Sequence, residues 1–519
     1  MMGSDNGLVQ AVLLAHGVGK RCFPFGGDAS PRPKYAFEAG GIPLVTHAAR
    51  ALLRAGVQEL VVVTGFRSQA LVQVVERDLP LDRVKTVEAS CYDQGDLLPL
   101  RDGMAALKTG GPLLVMNADL FLAPGEIEGL VQAFMEGTKE QSLALVDPLH
   151  EEEDLLSWVT VEENGSGEAV RLIDHQEGPR LRLSGLYVLS QQEVSWLPSC
   201  EVKGGEGGYL FQAFSHGLGQ GRRLGIHRAL GRPIHVDRCF DYLDANQEIC
   251  TRRVAAIKEE NGVYRYVAGE GDPDPEYIFP GTLITPGATL VFEEGSFIGP
   301  YDSLEGHRLG IKNQGSAMIP IRIRGDVHLG KGSRIGLNAL VEGGLVVGED
   351  CSVEDSVIEP FVLLGNRVRV RRNAVIRGLT VCGNGSRYEC AADFEGVGGN
   401  GTVYMHPGQC WIVTGEKCDL GAGNFVGTWR FDSGRSSYLI DNRSITPWID
   451  RIANASYIGD DVRTGVGVCL APGTRVGADT LLGPGFQAAG TLGPKRAYIP
   501  KQKDVVNCRV ALVRKSRVP

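Results

Sequence analysis

The sequence contains no CxxC pair. Its 12 cysteines are scattered, the closest being Cys382/Cys390 and Cys410/Cys418, eight residues apart, a pattern that suits neither a zinc site nor a disulfide framework and reads as reduced thiols of a cytoplasmic protein. Long apolar runs are missing too. Stretches such as Leu60 to Val63 and Pro112 to Met116 fall far below the ~18 residues of a bilayer span. The chain opens Met-Met-Gly-Ser-Asp-Asn ahead of the apolar run Leu8 to Ala15, without a basic stretch or cleavage site, so no secretory signal is expected and the run reads as a buried strand. There is no excess of positive charge: 53 Lys and Arg against 62 Asp and Glu leave a net charge of −9, which as a whole repels nucleic acid and anionic membranes. An anionic substrate must therefore be met by locally placed Lys or Arg. Disordered and collagen-like chains are excluded by 43% hydrophobic and 22% charged residues.

What is abundant is glycine, 70 of 519 residues, about twice the usual ~7%. The length implies two to four domains, and the patterns around the glycines divide the chain in two. In the first half, apolar runs at Val9 to Ala15, Glu59 to Thr64, Pro112 to Asn117 and Gln141 to Val146 alternate with helix-like stretches at Pro43 to Ala55, Ser68 to Arg77 and Glu126 to Gly137. Pro43 is expected at the first helical position of its stretch. Alternation of this kind predicts an α/β domain over residues 1–250 with a mostly parallel sheet, whose ligands bind beyond the carboxyl ends of the strands.

After a linker at 251–276, a six-residue period of aliphatic residues takes over. It runs through Ile323, Leu329, Ile335, Val341, Val347 and Val353, slips by one residue, continues through Ile358, Leu364, Val370 and Ile376, and returns at Ile458, Thr464, Leu470, Val476 and Leu482. This predicts a parallel β-helix of hexapeptide repeats over 277–490, three short strands to each ~18-residue turn. Residues 383–405 and 428–456 break the period and are expected to be insertions projecting from the coil. The segment 491–519 is expected to be a basic tail.

Directly after the first strand comes Leu14-Ala15-His16-Gly17-Val18-Gly19-Lys20-Arg21, then Pro33-Lys34, then Gly41-Ile42-Pro43-Leu44. A Gly-rich turn at a strand end lets backbone N–H groups approach phosphate, and a neighbouring Arg adds planar bidentate charge. The series resembles the opening of the sugar-1-phosphate nucleotidyltransferase family, LAAGxGTR...PK...GxPL. Asn117-Ala118-Asp119 is similar to that family's first metal-binding Asp, and His235-Val236-Asp237 with the following Phe240 to Asn246 to its second. Gly185-Leu186-Tyr187-Val188 and Glu206-Gly207-Gly208-Tyr209-Leu210 resemble two further segments.

The resemblance implies a Rossmann-like nucleotidyltransferase domain that joins an NTP to a sugar-1-phosphate with release of pyrophosphate. Such a nucleophile is already ionised at neutral pH, so no general base is required; two mutually repelling anions have to be aligned by cations and Mg2+. On this reading Arg21 faces the leaving pyrophosphate, Lys34 the phosphates at the reacting centre, and Asp119 with Asp237 the metal. Ala15, Gly17, Gly19, Gln94 and Gly95 would hold the nucleotide, and Asp174, Gly185 and Glu206 the sugar. Gln94-Gly95-Asp96-Leu97 stands where the family commonly has Gln...Gly-Thr-Ala, so the base stays open. Trp158 and His175 replace the family's usual Gly and Lys in the sugar region, so the sugar is either unusual or not bound at all, which leaves open a non-catalytic regulatory subunit that binds a nucleotide sugar.

Further on, Leu420-Gly421-Ala422-Gly423, Trp429-Arg430-Phe431-Asp432, Ile458-Gly459 with Arg463-Thr464-Gly465, and Ala471-Pro472-Gly473 resemble the acetyltransferase half of bifunctional, archaeal-type sugar nucleotidyltransferase/acetyltransferases. The resemblance implies a left-handed β-helix that trimerises and takes acetyl-CoA as a co-substrate, with His406, 15 residues before Gly421, as a neutral imidazole base. Gly421, Gly423, Thr428 and Arg430 would line the acyl-donor and acceptor region, and an acyltransferase with a degenerate N-terminal domain stays open as a further alternative. Thr428 stands where that family has Asn, and Pro407-Gly408 where it prefers Ser-Tyr.

Overall fold

A computed structural model describes residues 10–28, 30–108, 110–151, 153, 158–174, 176, 178–201, 208–299, 321–405, 408–430, 432 and 434–500. His406, Glu206 and His175 therefore lie outside the described residues, as does the tail beyond 500.

The first half is built from strands β1 (Gln10–Ala15), β2 (Glu59–Thr64), β3 (Val84–Glu88), β4 (Leu113–Asn117), β5 (Leu120–Phe121), β6 (Ser142–Pro148), β7 (Val159–Glu163), β8 (Ala169–Asp174), β9 (Leu181–Leu189), β10 (Leu224–Arg228) and β11 (Ile234–His235). The helices that matter here are α1 (Leu44–Arg54), α2 (Ser68–Asp78), α3 (Leu97–Ala106), α4 (Glu126–Glu136) and α5 (Cys239–Ala256). Nine strands form one sheet in the order β8-β7-β9-β4-β1-β2-β3, with β6 pairing β9 and β10. The β4-β1-β2-β3 run is parallel, and β9 enters it antiparallel to β4, giving a mixed sheet. The strands read as unbroken apolar runs because both faces are covered: all six residues of β1 are buried. Pro43 precedes α1 instead of opening it; at φ −56°, ψ 145° it pairs with Glu38 in a two-residue ladder, an extended conformation that the helix cannot share.

The second half is an array of short strands in parallel register. Arg322–Ile323 pairs with Leu340–Val341, that with Val357–Ile358, and that with Val375–Ile376. Two further faces repeat the pattern, through Val327–Leu329, Leu345–Val347 and Val362–Leu364 and through Arg334–Ile335, Ser352–Val353 and Arg369–Val370. Three faces with this register are compatible with a β-helix. The periodic aliphatics point inward: Ile323, Leu329, Ile335, Val341, Val353, Ile358, Val370 and Ile376 belong to one continuous buried cluster.

Three sequence-based boundaries shift. Residues 383–405 do not project, since Arg387–Glu389 and Asp393–Gly398 pair within the coil. Their six-residue phase persists through Cys382, Tyr388 and Phe394, all buried; aromatic and thiol side chains replaced the aliphatics by which the period was recognised. The expected boundary at 250 falls inside α5, whose Cys250 and Val254 pack against Val346 and Leu363 of the coil. The expected tail starts too early, because Thr491–Leu492 and Ala497–Tyr498 still pair with the preceding turn. Within 428–456, by contrast, Tyr438–Ile440 and Arg443–Ile445 form an antiparallel hairpin outside the array, followed by the short helix Asp450–Asn454, and Ser456 rejoins the array opposite Ile412.

The two halves share a core. Phe25, Phe37, Phe240, Tyr242 and Cys250 from the first half and Val346, Leu363, Val413, Tyr438 and Tyr457 from the second form one buried cluster, with Phe25 edge-on to Tyr457 at 6.4 Å.

Candidate active site

The site lies beyond the carboxyl ends of β1 and β4. Ala15 closes β1, buried. The chain then turns through His16, whose Nδ1–H donates to the Tyr92 carbonyl at 3.1 Å; burial holds the imidazole below its ordinary pKa. The Gly17 N–H donates to the Tyr35 hydroxyl at 3.3 Å. Gly19, at φ 69°, hands the chain to a single 3-10 turn, Lys20–Cys22. A Cβ on Gly19 would come within 3.0 Å of the Lys34 side chain, so the missing side chain lets Lys34 run directly beneath the loop.

Lys34 carries the centre of the arrangement. Its side chain is 6% exposed, its ammonium donates to the Asp119 carboxylate, and Asp237 Oδ1 lies 3.5 Å away. The two carboxylates meet because β5 and β11 pair antiparallel, Leu120 opposite His235, and the Val236 N–H donates to the Asp119 carbonyl at 2.9 Å. Arg21 Nη1 reaches Asp237 Oδ2 at 3.1 Å. Burial works against the Lys34 ammonium, yet Asp119 and Asp237 outweigh it and hold its pKa well above the ordinary value. Burial likewise opposes ionisation of Asp237, and Lys34, Arg21 and Arg238 overcome it, keeping this carboxyl well below the usual range. Asp237 is thus an anion in a strongly cationic setting.

Arg21, Lys34, Asp119 and Asp237 accordingly form one cluster, with Gly17 and Gly19 on its roof. Gln94 and Gly95 pack instead on Gly208, whose N–H donates to the Gln94 carbonyl at 2.8 Å. Gly185 sits in β9 at φ 72°, where a Cβ would meet Asn117 Nδ2 at 2.6 Å; it makes room for the residue two before Asp119. Asp174 is exposed at the end of β8, opposite Val159. Trp158 lies between two guanidinium groups, Arg182 at 4.4 Å and Arg238 at 5.1 Å from the ring centre. Both arginines are already engaged, Arg182 with Asp147 at 3.0 Å and Arg238 with Asp241 at 3.1 Å.

Asp119 and Asp237 are the carboxylates that could hold a divalent cation. Among the described residues no group of three or more His, Cys, Asp or Glu forms a metal cage. Two hard carboxylates suit an ion such as Mg2+ that completes its shell with phosphate oxygens and water.

Of the second-half candidates, the described ones have local partners. Gly421 and Gly423 turn a coil corner, the Gly421 N–H donating to Thr464 Oγ1 at 3.0 Å, and Asn424 Oδ1 accepts from the Val468 N–H at 2.8 Å. Arg430 pairs locally with Asp432 at 2.9 Å, and Thr428 stands two residues before it, half-buried.

Sequence reasoning missed Tyr35 and Tyr92, which brace the loop, and two contacts from the second half. Asp441 Oδ2 accepts from Arg21 Nε at 2.5 Å. Arg32 is held by Asp460 at 2.9 and 3.0 Å and by Glu416 at 2.5 Å.

Residues 11–170 match the MobA-like NTP transferase domain. The part of the first half that holds Arg21, Lys34 and Asp119 is thus similar to an NTP transferase domain. A curated relative, the bifunctional protein GlmU of Symbiobacterium thermophilum, is 31% identical over 145 residues, which cover 27% of this chain and 28% of that protein. The match therefore spans well under two thirds of that relative's length. Two solved structures align with 47% of the chain: the inositol-1-phosphate CTP transferase of T. maritima (18% identity, 96% of that chain, TM-score 0.40) and the UDP-glucose pyrophosphorylase of Acinetobacter baumanii (14% identity, 94% of that chain, TM-score 0.39). No helix among the described residues is long and apolar enough to cross a membrane.

Proposed function

We propose that the nucleotidyltransferase domain couples an NTP to a sugar-1-phosphate and releases pyrophosphate. The convergence of Arg21, Lys34, Asp119 and Asp237 beneath a Gly-rich loop carries this reading. Lys34 is buried where a bridging phosphate would be oriented, and its ammonium stays protonated across the physiological range. Arg21, at the loop mouth, can shift a donor from Asp237 to a departing pyrophosphate. Gly17 and Gly19 keep the backbone close to the phosphates. Because the sugar phosphate arrives ionised, these residues bind and align without moving a proton. Mg2+ held by Asp119 and Asp237 would neutralise phosphate charge as the bond to the α-phosphorus forms. A 31P-monitored screen of NTPs against pooled sugar-1-phosphates with Mg2+ tests the assignment; pyrophosphate release that is absent throughout, or that survives Asp119→Ala combined with Asp237→Ala, defeats it.

For the second half the proposal is a left-handed β-helix that assembles as a trimer and acylates a sugar from acetyl-CoA, with His406 as base and Gly421, Gly423, Thr428 and Arg430 around the substrates. The parallel three-faced register supports the architecture. CoA release unchanged by His406→Ala would remove the acyl-transfer part. A second reading, a subunit that binds a nucleotide sugar without turnover, is favoured by one observation: Trp158, in the segment that the resemblance gives to the sugar, lies against two arginines that are already paired. Tight nucleotide-sugar binding with no turnover, and co-purification with an active partner, would establish it.

A further inference from the structure

The hairpin of residues 438–445 leaves the coil and ends on the catalytic cluster of the other half. Its two-residue tip, Asp441-Asn442, has φ 48° and 61°, the pair of positive angles of a type I′ turn, which fixes the twist of so short a ribbon. The hairpin base is anchored on both sides. The Tyr438 hydroxyl donates to the Ala453 carbonyl at 2.7 Å, the Arg475 guanidinium lies 5.3 Å from the Tyr438 ring centre, and Ile440 and Ile445 are buried in the shared core with Phe25 and Val236. The place of Asp441 is therefore dictated by the second half, and it sits 2.5 Å from Arg21 Nε.

Arg21 is thereby held at two edges. Nε donates to Asp441 and Nη1 to Asp237 at 3.1 Å, so carboxylates from opposite halves of the chain set the guanidinium plane. A guanidinium has five N–H donors in a fixed fork, and donors remain for a phosphate. The far end of the same loop is tied down in the same manner by Arg32 on Asp460 and Glu416. Arg32 also lies over the Phe37 ring at 4.2 Å. The Gly-rich loop is thus suspended between two contacts to the second half.

We propose that Asp441 is a positioning residue for Arg21, so that the hairpin of the second half preorganises the pyrophosphate end of the nucleotide site. This rests on the nucleotidyl-transfer reading. It also makes a prediction of sign. An acid beside an anion site repels the anion, and its simple removal would tighten binding; if Asp441 acts by holding Arg21 in place, removal weakens binding, because the long side chain must be immobilised anew.

The test uses the full-length chain and inorganic pyrophosphate with Mg2+ as the probe, read by calorimetry. Asp441→Ala is expected to weaken pyrophosphate binding roughly 3- to 10-fold. Asp441→Asn, which still accepts from Nε, is expected to stay close to wild type. In an Arg21→Ala background, adding Asp441→Ala is expected to change nothing further, since the cycle isolates an effect that passes through Arg21. Leu439→Ser, an exposed change on the same hairpin, controls for loss of the hairpin and is expected to bind as wild type. Unchanged or tighter binding by Asp441→Ala overturns the proposal, as does an equal loss in the Arg21→Ala background. A wild-type chain that binds pyrophosphate but releases none from any NTP and sugar-1-phosphate pair defeats the functional reading alone; one that does not bind pyrophosphate defeats both.

Discussion

Replacing Lys34 by Met removes an ammonium that lies against both Asp119 and Asp237. In the native chain it is 6% exposed and also within 3.5 Å of the Val236 carbonyl. Breaking a buried ion pair from one side typically costs 3–5 kcal/mol, because the partner charge is left uncompensated. Here Asp237 keeps Arg21 at 3.1 Å and a side chain 29% exposed, and Asp119 is 14% exposed, so water and Arg21 absorb part of the loss and the lower end, about 3 kcal/mol, is expected. For a domain of this size that corresponds to a fall in Tm of roughly 6–12 °C. The substitution also converts a neutralised pair into two facing anions, so Mg2+ should raise the Tm of Lys34→Met by more than that of wild type. Urea unfolding and thermal scans with and without 5–10 mM Mg2+, on the order used for weak divalent sites, measure both effects, and pyrophosphate release is expected to fall by at least about 100-fold. A loss of stability under about 1 kcal/mol, or turnover that survives, would show that Lys34 is a solvated surface cation and that the cluster is not the reacting centre.

Other expectations follow from the same geometry. Because the Asp237 carboxyl is held below its unfolded value of about 3.9, its contribution to stability is fully present above that pH and is lost as pH falls toward the folded value; urea midpoints against pH should flatten in this acid limb for Asp237→Asn. Asp96 behaves oppositely: burial raises its pKa to about 6, so its part of the stability declines as pH rises from about 4 to 6, a slope that Asp96→Asn should remove. Gly185→Ala, at φ 72° against Asn117, is expected to cost roughly 1–3 kcal/mol, with part of it recovered when Asn117→Ala is added. Ile358→Ala, inside the coil with no exposed surface, should cost about 2–5 kcal/mol by denaturant unfolding.

The fold was legible wherever a period persisted. The parallel strands of the first half show as unbroken apolar runs, and the coil as aliphatics six residues apart, because each interior position demands the same kind of side chain. The reading stopped at Cys382, Tyr388 and Phe394, which fill the same interior with other shapes; Tyr388 stacks on Tyr404 at 4.8 Å. It also placed a boundary inside α5, whose exposed Arg253 sits beside the packed Cys250 and Val254. In the site, Arg21, Lys34, Asp119 and Asp237 could be singled out because each sits in a short motif that resembles one of a known family. Asp441 had no such pattern to mark its partner. Asp441-Asn442 between Tyr438-Leu439-Ile440 and Arg443-Ser444-Ile445 has the form of a hairpin turn, but nothing local connects it to an arginine 420 residues earlier.

The shared core has a consequence for biosynthesis. Chains leave the ribosome from the N-terminus at about 5–20 residues per second, so roughly 10–40 s separate the appearance of α5 from that of Tyr457, which packs against the same cluster. Until Tyr457 emerges, the cluster that holds Phe25, Phe240 and Cys250 is incomplete, and the nascent first half leaves part of an apolar face uncovered. The layout therefore ties completion of the first half's buried surface to synthesis of the second half.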